Sequence, residues 1–170
     1  MIVQNNNIRK ILFVCTGNTC RSPMAEYYFN SEIKKSGKDS GIIAESRGLA
    51  AENGSYMSGN AKKVLELHNV ITDNDYYKFK SRQINEIIVK KSEFIYGITV
   101  HHEFRLKEEF PEYKDKIFSM PSADKSAANI GDPYGGSLEV YEKCFENIKK
   151  AVDIIIKQLT QGETNPVGGT

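Results

Sequence analysis

The apolar positions of this chain fall into short runs separated by longer stretches with a three-to-four period. Residues 8–14 (IRKILFV) form a compact run with branched side chains, the pattern of a buried parallel strand. A loop and a helix follow. Ser22 is a good N-cap, and Pro23 then sits at the first helical position, where its missing N–H costs nothing and its φ is already set. That helix is predicted to run to about Gly37. Residues 41–48 (GIIAESRG) predict a second strand, followed by a loop carrying Asn53, Gly54, Ser58 and Gly59 and a helix across Ala61, Val64, Leu65 and His68. Another helix is expected through Ile84, Ile87 and Ile88, a third strand over 93–100, a short helix near 103–110 and a strand over 115–120. The clearest period comes last. Leu138, Tyr141, Phe145, Ile148, Val152, Ile155 and Leu159 recur at alternating spacings of three and four, which makes one continuous apolar face.

Strands alternating with helices imply a parallel sheet covered on both sides. The expected fold is a small doubly wound α/β sheet of about four parallel strands. In such sheets ligands bind beyond the carboxyl ends of the strands, where the loop after residue 14 emerges. Residues 1–160 are expected to form one domain, with the polar segment 161–170 (QGETNPVGGT) as a tail. No internal repeat or interdomain linker interrupts the chain.

Charge narrows the partners. Lys and Arg number 23 against 22 Asp and Glu, so no global basic field exists to attract nucleic acid, and any anion must be held by a local site. The amino terminus has only a short apolar run and no small-residue cleavage site, which predicts neither a signal peptide nor a membrane span, and a cytoplasmic location. The three cysteines, Cys15, Cys20 and Cys144, are spaced unlike a disulfide framework. Thiols of that kind are catalytic or buried, and Cys144, beside the apolar face of the last helix, is assigned to burial.

The other two lie in residues 13–26, FVCTGNTCRSPMAE. A tight loop feeding a helix N-terminus presents unpaired N–H groups and the positive end of the helix dipole, an anion site. Gly17 lets the backbone turn closely, and Asn18 tolerates left-handed geometry and bonds locally. The amides from Thr16 through Thr19 and Cys20 to Arg21 are then placed to converge on a tetrahedral anion, with the Arg21 fork matching two of its oxygens. The same positive surroundings favour a thiolate at Cys15, a nucleophile aimed at phosphorus, and Ser22 can donate to it and help it leave. Such a site works by double displacement and calls for neither metal nor cofactor. A nucleotide P-loop would end in Gly-Lys-Ser/Thr, which is missing, and a metal site would need a second Cys/His pair beside Cys15 and Cys20.

The segment VCTGNTCRSPMAE resembles the signature of the low-molecular-weight protein tyrosine phosphatases: a cysteine, five residues, then Arg-Ser-Pro near the start of the chain. SRG (46–48), KSRQI (80–84) and GDPYGGS (131–137) extend the resemblance over most of the first 160 residues. It implies an α/β fold, a cysteinyl-phosphate intermediate, a phosphorylated protein as substrate, inorganic phosphate as product, and Asp132 as general acid. Pro133 would restrict Asp132 to extended conformations and so carry the carboxyl on a stiff loop. Taken alone, Asp-Pro reads as a turn before the last helix; its pairing with the thiol loop gives it the acid's role. Tyr134 is expected to wall the cleft, Gly135 and Gly136 to give flexibility, and Ser137 to cap the final helix. A second wall is expected on the loop after the second strand, with Leu49 the positional match and Tyr56 an alternative.

The resemblance also implies a redox role for Cys20, which would capture a sulfenic acid on Cys15 as a reversible disulfide. Cys20 as a small hydrophobe packed inward is the competing expectation. His68 and the pair His101-His102 are given no catalytic role. On substrate the signals divide. Thr19 replaces the bulky aliphatic residue usual in the tyrosine-directed members, and CTGNTCRS with DPYGGS resembles the bacterial protein-arginine phosphatases, whereas KSRQI resembles the tyrosine-directed branch. Phosphoarginine is favoured over phosphotyrosine. A thioredoxin-coupled arsenate reductase would need two more cysteines between Cys20 and Cys144, where there are none, and a noncatalytic phosphoprotein-binding module would not need both a nucleophile and Asp132.

Overall fold

The structure is a computed structural model in which residues 8–37, 41–122 and 130–161 are described. Four strands, β1 (Arg9–Cys15), β2 (Ile42–Gly48), β3 (Phe94–Gly97) and β4 (Ile117–Ser119), make one parallel sheet in the order β2-β1-β3-β4. Six α-helices surround it: α1 (Arg21–Lys35), α2 (Gly59–Leu67), α3 (Asp73–Lys78), α4 (Glu86–Lys91), α5 (Val100–Glu109) and α6 (Leu138–Thr160). This is the expected doubly wound α/β sheet.

The central strand shows why. On β1, Ile11 and Phe13 face one way and Leu12 and Val14 the other, and all four are fully buried. Ile11 and Phe13 join a core with α1, α2 and α6, while Leu12 and Val14 pack with Ile88, Val89 and Leu106 of α4 and α5. A strand apolar on both faces needs a helical layer on each side. The apolar face of α6 is buried through Tyr141, Phe145, Ile148, Val152 and Ile155. At ~1.5–3 kcal/mol for each large apolar side chain, that face anchors the helix and the loop that precedes it.

Several boundaries differ from expectation. Helix α1 starts at Arg21 with Cys20 in the cap position and no side-chain cap bond, so Ser22 does not cap it. Ser22 lies in the first turn, where its hydroxyl serves the thiol loop instead. Strand β3 ends at Gly97 because Thr99 caps α5, accepting from the His102 N–H, and Val100 belongs to that helix. Asn85 caps α4, so Ile84 precedes the helix; its N–H donates to the Gly48 carbonyl. Helix α3 and a 3₁₀ turn at Pro111–Lys116 were not anticipated. The polar DNDYYK segment has no apolar period, and its helix depends on a capping box between Thr72 and Asp75. Ser137 stands at the N-cap of α6 without a side-chain bond. Of the tail predicted at 161–170, all but Gln161 lies outside the described residues. Among the described residues no helix is long and apolar enough to cross a membrane.

The parallel register aligns the carboxyl ends of the strands. Cys15 ends β1 opposite Gly48 of β2, and Gly97 ends β3 opposite Ser119 of β4. The loop from Cys15 to Cys20 therefore leaves the sheet at its carboxyl edge and enters α1.

Candidate active site

The loop is shaped by Asn18, the one residue in it with a left-handed backbone, at φ 55°. That is the geometry and local bonding expected of Asn18; Gly17 lies outside the left-handed region, and a Cβ there would meet only Thr19 Oγ1 at 3.7 Å. Asn18 is fully buried and bonds in four directions. Its N–H donates to Cys15 Sγ at 3.3 Å, its Nδ2 donates to Ser22 Oγ at 3.0 Å and Ser46 Oγ at 2.8 Å, and its Oδ1 accepts from the Arg82 N–H at 2.8 Å.

Cys15 Sγ lies 3.0 Å from Ser22 Oγ, which is also 3.3 Å from the Arg47 carbonyl. A thiol can donate to Ser22 while Ser22 donates to Arg47; a thiolate can instead accept from Ser22. With the Asn18 N–H, the sulfur has two donors within reach, contacts that a departing thiolate can accept.

Gly48 sets the floor. A Cβ on it would stand 2.5 Å from the Thr16 carbonyl oxygen, 2.8 Å from Ala51 Cβ and 3.0 Å from the Asn18 nitrogen. The loop is thus seated directly on the end of β2, where the Leu49 and Ala50 N–H groups donate to the Cys15 and Thr16 carbonyls at 2.9 Å each. Behind it, Ser46 donates to the partly buried carboxyl of Glu26, which burial pushes up to about 7.

Opposite the thiol, the Arg21 guanidinium meets Asp132 Oδ2 at 3.2 Å and donates to the Ile130 carbonyl at 3.4 Å. The arginine side chain is 8% exposed and the aspartate 57%, so a buried cation holds a carboxylate that remains open to the cleft. The aspartate loop is also fixed from within. Asp132 Oδ1 accepts from the Tyr134 N–H at 3.2 Å, and the Cys144 thiol donates to the Gly131 carbonyl at 3.6 Å. Gly135 is left-handed at φ 76°, and a Cβ on Gly136 would fall 2.9 Å from the Pro133 carbonyl oxygen. These glycines are required by a defined shape rather than supplying flexibility. Cys144 is buried as expected, and its thiol is pushed up to about 12 by that burial.

Between the two loops lies a cavity of about 220 Å³, lined by Cys15, Thr16, Gly17, Thr19, Cys20, Arg21, Asp132 and Tyr134. Tyr134 stands at its rim, 77% exposed. Leu49 does not line it; its side chain packs partly buried against the core of Leu12 and Val14. Tyr56 is absent from the lining too, stacked on Tyr76 at 5.3 Å with the Lys80 ammonium over its ring. Cys20 is buried but not merely packed: its thiol donates to Ser58 Oγ at 3.4 Å and lies 3.3 Å from the Tyr141 hydroxyl. Burial, aided by Cys20, pushes that hydroxyl up to about 12.

Sequence reasoning passed over four contributors: Ser46, Gly48, Glu26 and His102. His102 Nε2 lies 3.0 Å from Thr16 Oγ1 and its Nδ1 faces Thr99, so it sits directly behind the loop. Its one local signal was the Thr-x-x-His spacing of a capping box. His68, by contrast, pairs with Glu142 at 2.9 Å on α6. With Glu146 these offer ligand atoms within 4.8 Å of one another, but Glu146 already pairs with Lys149 at 2.6 Å.

Comparison with known proteins agrees with this geometry. Residues 10–165 match the family described as low molecular weight phosphotyrosine protein phosphatase. The chain is 32% identical over 151 residues to a protein-arginine-phosphatase of Geobacillus stearothermophilus, covering 88% of this chain and 95% of that one. It is 33% identical over 139 residues to the low molecular weight protein-tyrosine-phosphatase PtpB of Staphylococcus haemolyticus, covering 82% and 91%. A crystal structure of a low molecular weight protein tyrosine phosphatase from T. tengcongensis superposes with a TM-score of 0.78 at 36% identity, over 88% of this chain and 99% of that one. With a family match spanning nearly the whole described fold, the chain belongs to the low molecular weight phosphotyrosine protein phosphatase family.

Proposed function

We propose that this chain hydrolyses phosphorylated protein side chains by double displacement, with phosphoarginine the preferred substrate. The observation that carries the mechanism is the facing pair of loops: Cys15 Sγ with donors from Asn18 and Ser22 on one side, and Arg21 joined to Asp132 at 3.2 Å on the other. Cys15 attacks phosphorus and forms a cysteinyl phosphate. The loop amides and the Arg21 guanidinium hold the phosphoryl oxygens as charge develops. Asp132 protonates the leaving atom of the substrate, then as a carboxylate takes a proton from the water that releases inorganic phosphate. Ser22 donates to the departing thiolate. The residues between Thr16 and Arg21 bind phosphate through the loop, and Tyr134 walls the substrate group.

Thr19 supports phosphoarginine. It lines the cavity beside Cys15 and offers a hydroxyl and a methyl where a bulky aliphatic side chain would favour a phenyl ring. The arginine-phosphatase relative at 32% identity is consistent with that assignment. Phosphotyrosine is the second reading, favoured by the tyrosine-phosphatase relatives at 33% and 36% identity. Side-by-side hydrolysis of matched phosphoarginine and phosphotyrosine peptides decides, with Cys15→Ser as the blank. Faster phosphoarginine turnover and a shift towards phosphotyrosine in Thr19→Ile are expected. Faster phosphotyrosine turnover by the wild type, or an unmoved ratio in Thr19→Ile, would refute the role of Thr19.

Residues 1–160 would act as one phosphatase domain in the cytosol, where thiols are kept reduced. Cys15 and Cys20 line the same cavity, which supports the redox role of Cys20. Peroxide would convert the Cys15 thiolate to a sulfenic acid, and the Cys20 thiol would displace water from it to close a disulfide.

A further inference from the structure

We infer that the Thr16 hydroxyl is a hydrogen-bond donor to the bound phosphoryl substrate, and that His102 is the positioning residue that aims it. The inference rests on the phosphatase reading for the identity of the ligand, but its geometry stands apart from it.

The orientation follows from which groups can only donate. The backbone N–H of Thr99 lies 3.2 Å from His102 Nδ1, and a backbone N–H has no acceptor capacity, so Nδ1 must be the unprotonated nitrogen. The Thr99 hydroxyl, 2.7 Å from the same nitrogen, is then a donor as well. In the neutral ring the proton resides on Nε2, and Nε2–H donates to Thr16 Oγ1 at 3.0 Å. Thr16 Oγ1 has thereby accepted its bond from the protein. Its own hydrogen is left to point elsewhere, and among the described residues that oxygen has no other hydrogen-bond partner. Thr16 is an exposed residue lining the same cavity as Cys15, Arg21 and Asp132. An anion seated there meets a hydroxyl that already accepts one bond from His102 and whose hydrogen has no acceptor among the described residues.

The surroundings keep the ring in this state. His102 is 3% exposed, and burial together with the nearby Arg21 cation pushes it down to about 4. His101 acts in the same direction and Asp132 opposes it weakly. The imidazole is therefore neutral at pH 7. Gly97 allows the approach, since a Cβ on it would stand 2.6 Å from the Glu103 nitrogen and 2.9 Å from His102 Cβ. The end of β3 is thus shaped so that the first turn of α5 lies against the loop.

The test is a double-mutant cycle on kcat/KM for a phosphopeptide. Thr16→Val should lower kcat/KM roughly tenfold, the usual scale for a hydrogen bond to a charged group, while Thr16→Ser keeps the hydroxyl and should stay near wild type. His102→Asn retains a short amide for the local cap but cannot reach Thr16, and should lose a similar factor. If His102 acts through Thr16, the double variant Thr16→Val/His102→Asn is no worse than Thr16→Val. Multiplying losses in the double variant, or a Thr16→Val enzyme at wild-type kcat/KM, would overturn the inference. Two readouts do not depend on turnover. ¹⁵N NMR of the imidazole should show the Nε2–H tautomer throughout pH 6–8, and inorganic phosphate should bind more weakly to Thr16→Val than to wild type. A protonated Nδ1, or equal phosphate affinities, would overturn it. If wild type hydrolyses neither phosphopeptide yet these two hold, the phosphatase reading fails while the hydrogen-bonding assignment stands.

Discussion

Replacing Asn18 by alanine removes the side chain that ties the thiol loop to three other parts of the fold. The lost bonds run to Ser22 in α1, Ser46 in β2 and the Arg82 N–H beyond α3, at 3.0, 2.8 and 2.8 Å. At ~1 kcal/mol net for each buried hydrogen bond, about 3 kcal/mol is at stake. The backbone adds to this. At φ 55° an alanine Cβ crowds the following carbonyl in a way that asparagine partly offsets by local bonding, for roughly 1 kcal/mol more. The expected loss is about 4 kcal/mol, or on the order of 8–16 °C in Tm for a chain of this size. Chemical and thermal denaturation of the purified protein measure it. Asn18→Gly separates the two contributions, since it loses the same bonds but not the backbone comfort and should recover about 1 kcal/mol relative to alanine. An Asn18→Ala protein within about 1 kcal/mol of wild type would refute Asn18 as the loop's organiser. A glycine variant less stable than the alanine one would refute the strain component.

Two further consequences concern the frame behind the loop. Gly48→Ala places a methyl 2.5 Å from the Thr16 carbonyl oxygen, so the loop must shift; a loss of ~1–3 kcal/mol and a raised KM are expected, and wild-type values for both would contradict the seating described. Glu26, raised from an ordinary 4.5 to about 7, binds its proton more tightly in the folded than in the unfolded state. Its contribution is therefore fully present below 4.5 and is lost as pH rises through 7, by at most ~3.5 kcal/mol at ~1.4 kcal/mol per pH unit. Denaturation at pH 4.5 and 7.5 should show this decline in wild type and a shallower one in Glu26→Gln, and identical slopes would remove Glu26 from the account.

Much of the fold was legible because its signals are local and strong. The doubly apolar β1 and the seven-residue stripe of α6 each leave one sensible placement. The thiol loop was legible for another reason: Cys15, Arg21 and Ser22 are chemically unusual neighbours; Cys15 and Arg21 meet around one cavity with Asp132, and Ser22 Oγ lies 3.0 Å from the sulfur. What escaped depends on distance in the chain. Glycine at 48 is demanded by the Thr16 carbonyl of a different element, and nothing in SRG reveals that contact. His102, one of a histidine pair, was given no role, since its burial depends on how closely α5 packs at Gly97. Asn18 was legible too: asparagine is one of the few non-glycine residues that tolerate left-handed geometry, and it takes that geometry and bonds locally as expected. Leu49 was placed on the rim by position along the loop, whereas its side chain packs against the apolar core that holds Leu12 and Val14 of β1.

The covalent intermediate is the central claim. Asp132→Ala, mixed with a phosphopeptide and denatured rapidly at alkaline pH, should carry phosphate on the peptide containing Cys15 when mapped by mass spectrometry, and Cys15→Ser should show no turnover. Wild-type turnover in Cys15→Ser, with no phosphate on Cys15 in any variant, would contradict it.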